Sequence, residues 1–108
     1  MSTAYKYQIF WKNHLPLILE KIQEANTTGK VQEIALNREE FEAIGNRSNS
    51  GYGFRMDIVN GVVPTKSGTS VARDLKYVLD RSVKFMELAE NRTLIIRMGK
   101  DFILKIIP

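Results

Sequence analysis

The chain has 108 residues, 44% of them hydrophobic and 26% charged, which predicts one globular domain and excludes a two-domain enzyme or a TIM barrel within this length. Because it has no cysteine, disulfides, thiol catalysis, zinc–thiolate sites and iron–sulfur clusters are excluded. The single histidine, His14, also excludes a site built from several histidines, and the formal net charge of +4 favours an anionic partner.

The first predicted element is an amphipathic helix from Thr3 to about Ala25. Apolar residues recur in it at the spacing of one helix face: Tyr7, Trp11, Leu15, Ile18 and Ile22. Pro16 interrupts this stripe, so either the helix kinks there or a new helix starts near Asn13. Residues 5–11 also alternate between apolar and more polar types, and a short strand before Asn13 is the alternative interpretation.

A short strand and a short helix are predicted next. Val31, Ile34 and Leu36 indicate the strand. Asn37 and Glu40 then have the spacing of a capping box, which predicts a helix that begins there, buries Phe41 and Ile44, and stops before residue 46.

The middle of the chain is predicted to contain a loop, a strand and a tight turn. Residues 46–53 are polar and include glycines, which is typical of a surface loop. The segment Phe54–Val63 is strand-like, and Asn60-Gly61 within it is a strong signal for a two-residue hairpin turn. Residues 64–68 are predicted as a second loop.

A second amphipathic helix, capped by Thr69 or Ser70, is predicted to run to about Ser82. Its apolar stripe comprises Val71, Leu75, Val78 and Leu79, with Met86 a possible continuation. Two runs rich in β-formers, Thr93–Met98 and Phe102–Ile107, predict a C-terminal hairpin. Helices and hairpins without regular strand–helix alternation predict an α+β fold with a mainly antiparallel sheet.

The charge is unevenly distributed along the chain. Residues 1–45 carry five Lys/Arg and six Asp/Glu, whereas residues 46–108 carry eleven and six. A basic segment of this kind is attracted to polyanions, most often nucleic acid. The first functional hypothesis is therefore a non-enzymatic nucleic-acid-binding accessory domain, DNA or RNA, that contacts mainly the backbone and has limited sequence specificity.

The residues predicted to contact nucleic acid come from the glycine-bearing loop, the strand after it and the polar face of the second helix. They are Arg47, Tyr52, Arg55, Arg73, Lys76, Tyr77 and Lys84. Guanidinium and ammonium groups neutralise phosphates, and tyrosine can stack on a base. The structural alternatives are a plain surface turn for the loop and a solvated helix face on which Lys76 pairs with Asp80.

One segment resembles a known family. Residues 50–57, Ser-Gly-Tyr-Gly-Phe-Arg-Met-Asp, look like the RNP1 octamer of the RNA-recognition motif, and residues 9–13 have some look of its RNP2 strand. The resemblance implies that Tyr52 and Phe54 stack on bases. The sequence departs from the pattern at Ser50, Arg55 and Asp57. The alternative interpretation places Phe54 in the core and Tyr52 at a loop edge.

No pattern of catalytic residues is present, so the protein is expected not to be an enzyme and to need no metal or cofactor. His14 and Trp11 are expected to be structural, and the acidic cluster at 39–42 is a weak signal for a metal or acid–base site. The chain shows no signal peptide and no apolar run long enough to span a membrane, so a cytoplasmic location is expected. The second functional hypothesis is a protein-interaction module or inhibitor that docks an acidic partner through the same basic surface.

Overall fold

The structure is a computed structural model that describes residues 3–45, 52–63 and 69–108. At residues 3, 4 and 52 it describes the backbone only. These residues form four helices and four strands, which confirms the α+β prediction. In chain order they are α1 Thr3–Thr28, β1 Gln32–Ala35, α2 Arg38–Glu42, β2 Tyr52–Asp57, α3 Ser70–Leu79, α4 Val83–Ala89, β3 Thr93–Met98 and β4 Phe102–Ile107.

The four strands form one antiparallel sheet in the order β1-β4-β3-β2. The predicted C-terminal hairpin is confirmed, with Thr93 opposite Ile107 and Met98 opposite Phe102. The two outer strands come from earlier in the chain, β1 beside β4 and β2 beside β3. The hairpin is therefore the centre of the sheet, and it is completed by strands that are distant in sequence.

Helix α1 is continuous, so both the strand alternative for residues 5–11 and a new helix starting near Asn13 are wrong. The helix passes through Pro16 because the lost hydrogen bond lies on its solvent side. Pro16 is exposed, and so is Lys12, whose carbonyl loses its donor and can bond to water instead. The opposite side of α1 buries residues before and after the proline: Tyr7, Phe10, Trp11, Ile18, Ile22 and Ala25.

Helix α2 begins as the capping box predicts. The Asn37 side chain accepts a hydrogen bond from the backbone N–H of Glu40 at 2.9 Å. Phe41 is fully buried, and its ring centre lies 4.9 Å from that of Tyr7 and 5.0 Å from that of Phe102. This aromatic cluster joins α2, α1 and the start of β4.

Strand β2 begins earlier and ends sooner than predicted. It includes Tyr52 and Gly53, which the sequence pattern assigned to the loop, and it stops at Asp57. The turn at Asn60-Gly61 forms with positive φ at both residues, 54° and 68°, as a type I′ turn requires. Within the described residues, a single bridge between Val59 and Val62 closes this turn.

The helix predicted from Thr69 or Ser70 to about Ser82 forms as α3 and ends at Leu79, and a further helix that was not predicted, α4, follows it. Thr69 caps α3, its side chain accepting from the backbone N–H of Ala72 at 3.2 Å. The side chain of Ser82 then accepts from the backbone N–H of Phe85 at 3.1 Å and starts α4. Ser82 therefore caps a separate helix, and Lys84 lies on α4 instead of α3.

The helices and the sheet share a single core. Alternate residues of every strand point into it, among them Ile34, Phe54, Leu94, Ile96 and Leu104. The radius of gyration, 13.1 Å, equals the value of about 13 Å that a compact domain of this size has. Because the helices cover one face of the sheet, the residues between those core positions occupy its other face.

Candidate nucleic-acid interface

The face of the sheet turned away from the helices is called the open face here. None of its residues is buried, and most of them alternate along their strands with residues that are. The open face consists of Glu33, Ala35, Gly53, Arg55, Asp57, Thr93, Ile95, Arg97, Ile103, Lys105 and Ile107.

A groove of about 530 Å³ runs over β2 and β3 on this side. Gly53 lies directly opposite Arg97, and Arg55 lies opposite Ile95, so the two arginines occupy diagonal positions beside the glycine. Gly53 has no side chain to fill the space between them. The sheet thereby forms a recess flanked by two guanidinium groups, whose planar donors suit phosphate oxygens.

The cations of the open face differ in their partners. Arg55 donates to the carboxylate of Asp57 at 3.0 and 3.2 Å, and Asp57 also accepts from the hydroxyl of Thr93 at 2.8 Å. Lys105 lies 3.5 Å from a carboxylate oxygen of Glu33. Within the described part of the chain, the guanidinium of Arg97 forms neither a hydrogen bond nor an ion pair. Exposed pairs of this kind are weak, about 0–1 kcal/mol, so an anionic ligand can exchange into them.

The rest of the open face is largely apolar. Ile95 and Ile107 lie diagonally across β3 and β4, and Ile103 lies opposite Arg97. Each isoleucine is half-buried, so part of its side chain stays accessible. The open face therefore combines apolar area with positive charge.

The polar face of α3 carries three of the predicted residues. Arg73 and Tyr77 are exposed, whereas Lys76 pairs with Asp80 as the structural alternative anticipated. The guanidinium carbon of Arg81 lies 3.4 Å from the centre of the Tyr77 ring. One side of this ring is thus already covered by a cation–π contact, which a stacking base would have to displace.

The predicted residues that the structure describes do not lie on one surface. Arg55 is on the open face, whereas Arg73, Lys76 and Tyr77 are on α3, which packs against α1 and buries its apolar side in the core. Lys84 is exposed on α4. Arg47 and the side chain of Tyr52 lie outside the described residues. The open face and the polar face of α3 are therefore two separate surfaces of the domain.

The structure contradicts what the resemblance to the RNA-recognition motif implies. Phe54, which would have to stack on a base, is buried in the core and is only 8% exposed. Residues 9–13, the counterpart of the second motif, lie within α1 and form no strand.

Other candidate chemistry is not assembled in the described residues. The ring Nδ1 of His14 hydrogen-bonds to the Phe10 carbonyl oxygen at 2.8 Å, a local contact within α1. Glu42 pairs with Arg38 at 2.6 Å, while Glu39 and Glu40 are exposed. No cluster of three or more His, Asp or Glu side chains in the described ranges is placed to hold a metal ion. No helix in these ranges combines the length and the apolar character needed to cross a membrane.

Arg97 and Lys105 are on the open face but were absent from the sequence-based set. The signal for them was the alternation within the two hairpin strands. Leu94, Ile96 and Met98 share one parity, so a charged residue at 97 must point the other way. That alternation identifies the outward face of the hairpin, but it does not reveal that β2 pairs with β3 and places Arg55 beside Arg97.

Comparisons of the chain with protein-family models, with curated proteins and with solved structures each find no match.

Proposed function

We propose that this protein is a non-enzymatic nucleic-acid-binding domain that holds the sugar–phosphate backbone on its open face. The observation that carries the proposal is the groove over β2 and β3, in which Arg55 and Arg97 flank the position left empty by Gly53. Guanidinium groups bind phosphates through several parallel hydrogen bonds, and a groove allows the backbone to approach both.

Limited sequence specificity follows from the same chemistry. Phosphate contacts position a protein on nucleic acid without reading its bases. The charged donors of the open face are Arg55, Arg97 and Lys105, and all three are suited to phosphate. Affinity should therefore depend steeply on salt and only weakly on sequence.

The same surface also supports the second candidate, an acidic protein partner. The observation in its favour is the half-buried group of Ile95, Ile103 and Ile107 beside the cations. Apolar area ringed by charge is also common in protein interfaces. The two candidates differ in what they require of a ligand, because only nucleic acid supplies a regular row of phosphates.

The test is a titration of labelled oligonucleotides of mixed sequence, single- and double-stranded, at several salt concentrations between about 50 and 200 mM. For the natural chain we expect binding that weakens linearly on a log–log plot. The double variant Arg55→Ala/Arg97→Ala should bind more weakly and flatten that slope by about 1.4–1.8 units, if each arginine neutralises one phosphate. No binding of either oligonucleotide at about 50 mM salt would refute the proposal and favour the acidic protein.

The matched control is Arg73→Ala/Lys76→Ala on α3, which also removes two positive charges but from the helix side of the domain. The net charge changes equally in the two double variants, so a difference in their affinity shows which surface contacts the nucleic acid. We expect the α3 variant to retain most of the affinity. A larger loss from the α3 variant would instead assign the contact to the predicted helix face.

A further inference from the structure

At the centre of the open face is an apolar residue, Ile95, and three of the four positions next to it on this face are cationic, the fourth being Thr93. Ile95 lies opposite Arg55 on one side and opposite Lys105 on the other. Arg97 is two residues further along the same strand and points the same way. An isoleucine side chain is thus surrounded on three sides by positive charge.

The spacing of these residues matches a ligand of moderate size. Neighbouring strands are about 4.8 Å apart, and alternate residues of a strand are about 6.8 Å apart. The Cα atoms of Arg55, Arg97 and Lys105 therefore lie about 8–10 Å from one another around Ile95. One flat apolar group of a ligand fits inside such a triangle. The cationic side chains at its three corners can then bind negative charges at the edge of that group.

We propose that the ligand of the open face is single-stranded nucleic acid, with a base lying against Ile95 and phosphates at Arg55, Arg97 and Lys105. This inference rests on the proposed function and specifies its ligand. A single strand presents unpaired base faces together with phosphates, which matches an apolar centre with a cationic rim. A duplex turns its base faces inward, so polar backbone groups would lie against Ile95 and lose water without a hydrogen bond to replace it.

The neighbouring isoleucines extend the apolar area in one direction. Ile103 and Ile107 lie on β4 diagonally from Ile95, on either side of Lys105. A second base can pack there while the chain passes Lys105. In the part of the open face that the structure describes, no aromatic side chain is present, so the base contact is aliphatic and modest in strength.

This absence provides a gain-of-function test. Ile95→Phe places an aromatic ring at the centre of the triangle, and stacking on aromatic side chains strengthens single-strand binding. We expect the natural chain to bind a single strand more tightly than the duplex of the same sequence. We expect Ile95→Phe to tighten single-strand binding about fivefold or more and to leave duplex binding unchanged.

The control is Val83→Phe on α4, which adds the same ring at a position that is 75% exposed and on the helix side of the sheet. Thermal unfolding of both variants shows whether they are folded, and Ile95→Thr serves as a second variant that should weaken single-strand binding. Equal binding of single strand and duplex, or no gain from Ile95→Phe when it is folded, would overturn the inference while leaving the proposed function intact. Failure of both oligonucleotides to bind would refute the proposed function as well.

Discussion

Gly53 of β2 lies opposite Arg97 of β3, and the Cγ atom of Arg97 is 3.7 Å from the position that a Cβ atom on residue 53 would occupy. The missing side chain has two effects. It leaves room beside the Arg97 side chain, and it leaves the groove between the arginines open. Glycine normally weakens a strand, so its presence here marks a close approach to the neighbouring backbone.

Gly53→Ala should therefore destabilise the protein by about 1–3 kcal/mol, since the added Cβ atom clashes with backbone. That atom would lie 2.8 Å from the carbonyl oxygen of Ile96, which cannot move without shifting β3. Gly99→Ala is the control, because a Cβ atom there meets nothing within 4 Å. Denaturant unfolding gives the midpoint of each variant. Equal midpoints would contradict the close approach of residue 53 to the backbone of β3.

Glu90 is expected to stabilise the turn at Asn60-Gly61. Its carboxylate accepts from the backbone N–H of Asn60 at 2.6 Å and from that of Gly61. Glu90→Ala should lower the free energy of unfolding by about 1–2 kcal/mol, because hydrogen bonds to a charged group are stronger than neutral ones. Glu90→Gln keeps one acceptor oxygen, so its free energy of unfolding should lie between those of the natural chain and Glu90→Ala.

Glu87→Ala on the exposed side of α4 is the control for this turn and should change stability by less than about 0.5 kcal/mol. Hydrogen exchange of the Gly61 amide gives a local readout that a general loss of stability would not single out. An unaltered exchange rate for this amide in Glu90→Ala would show that the carboxylate does not hold the turn.

Leu75 tests the shared core. It is fully buried on α3, so Leu75→Ala should cost about 2–5 kcal/mol, the range for removing a large core side chain. Arg73→Ala, two residues earlier on the exposed side of the same helix, should stay within about 0.5 kcal/mol. Chemical denaturation compares the two, and a loss from Leu75→Ala as small as that of the surface variant would remove α3 from the core.

Asp57 is expected to reduce the affinity of the open face for phosphate. It holds the guanidinium of Arg55 at 3.0 Å, and its charge repels an incoming anion. Asp57→Asn keeps an oxygen acceptor for Thr93 and removes the charge, so nucleic-acid affinity should rise, by up to about fivefold if the exposed pair is worth about 1 kcal/mol. Fluorescence anisotropy at low salt measures this. Asp80→Asn, which frees Lys76 on α3, is the control, and an equal rise in both variants would mean that only net charge matters.

Much of the secondary structure was predictable because its signals are local. The Asn37 cap, the turn at Asn60-Gly61 and the C-terminal hairpin each depend on residues only a few positions apart. Competing local signals caused the errors. Pro16 left a break open as an alternative, although the apolar stripe favoured the helix that α1 forms. Ser82 was taken as the end of a helix, whereas α3 ends at Leu79 and Ser82 begins α4.

By itself, the amino-acid sequence determined the α+β class, the apolar stripes, the caps and the excess of positive charge in the second part of the chain, because these follow from residue type and short-range spacing. Only the tertiary structure decided which charges share a surface. The pairing of β2 with β3 joins residues about 40 positions apart, and it places Arg55 beside Arg97 and opposite Ile95. The same packing separates Arg55 from Arg73 and Lys76. Whether a charged residue shares a surface with another depends on which side of its strand or helix is buried. A count of charges along the chain contains no such information.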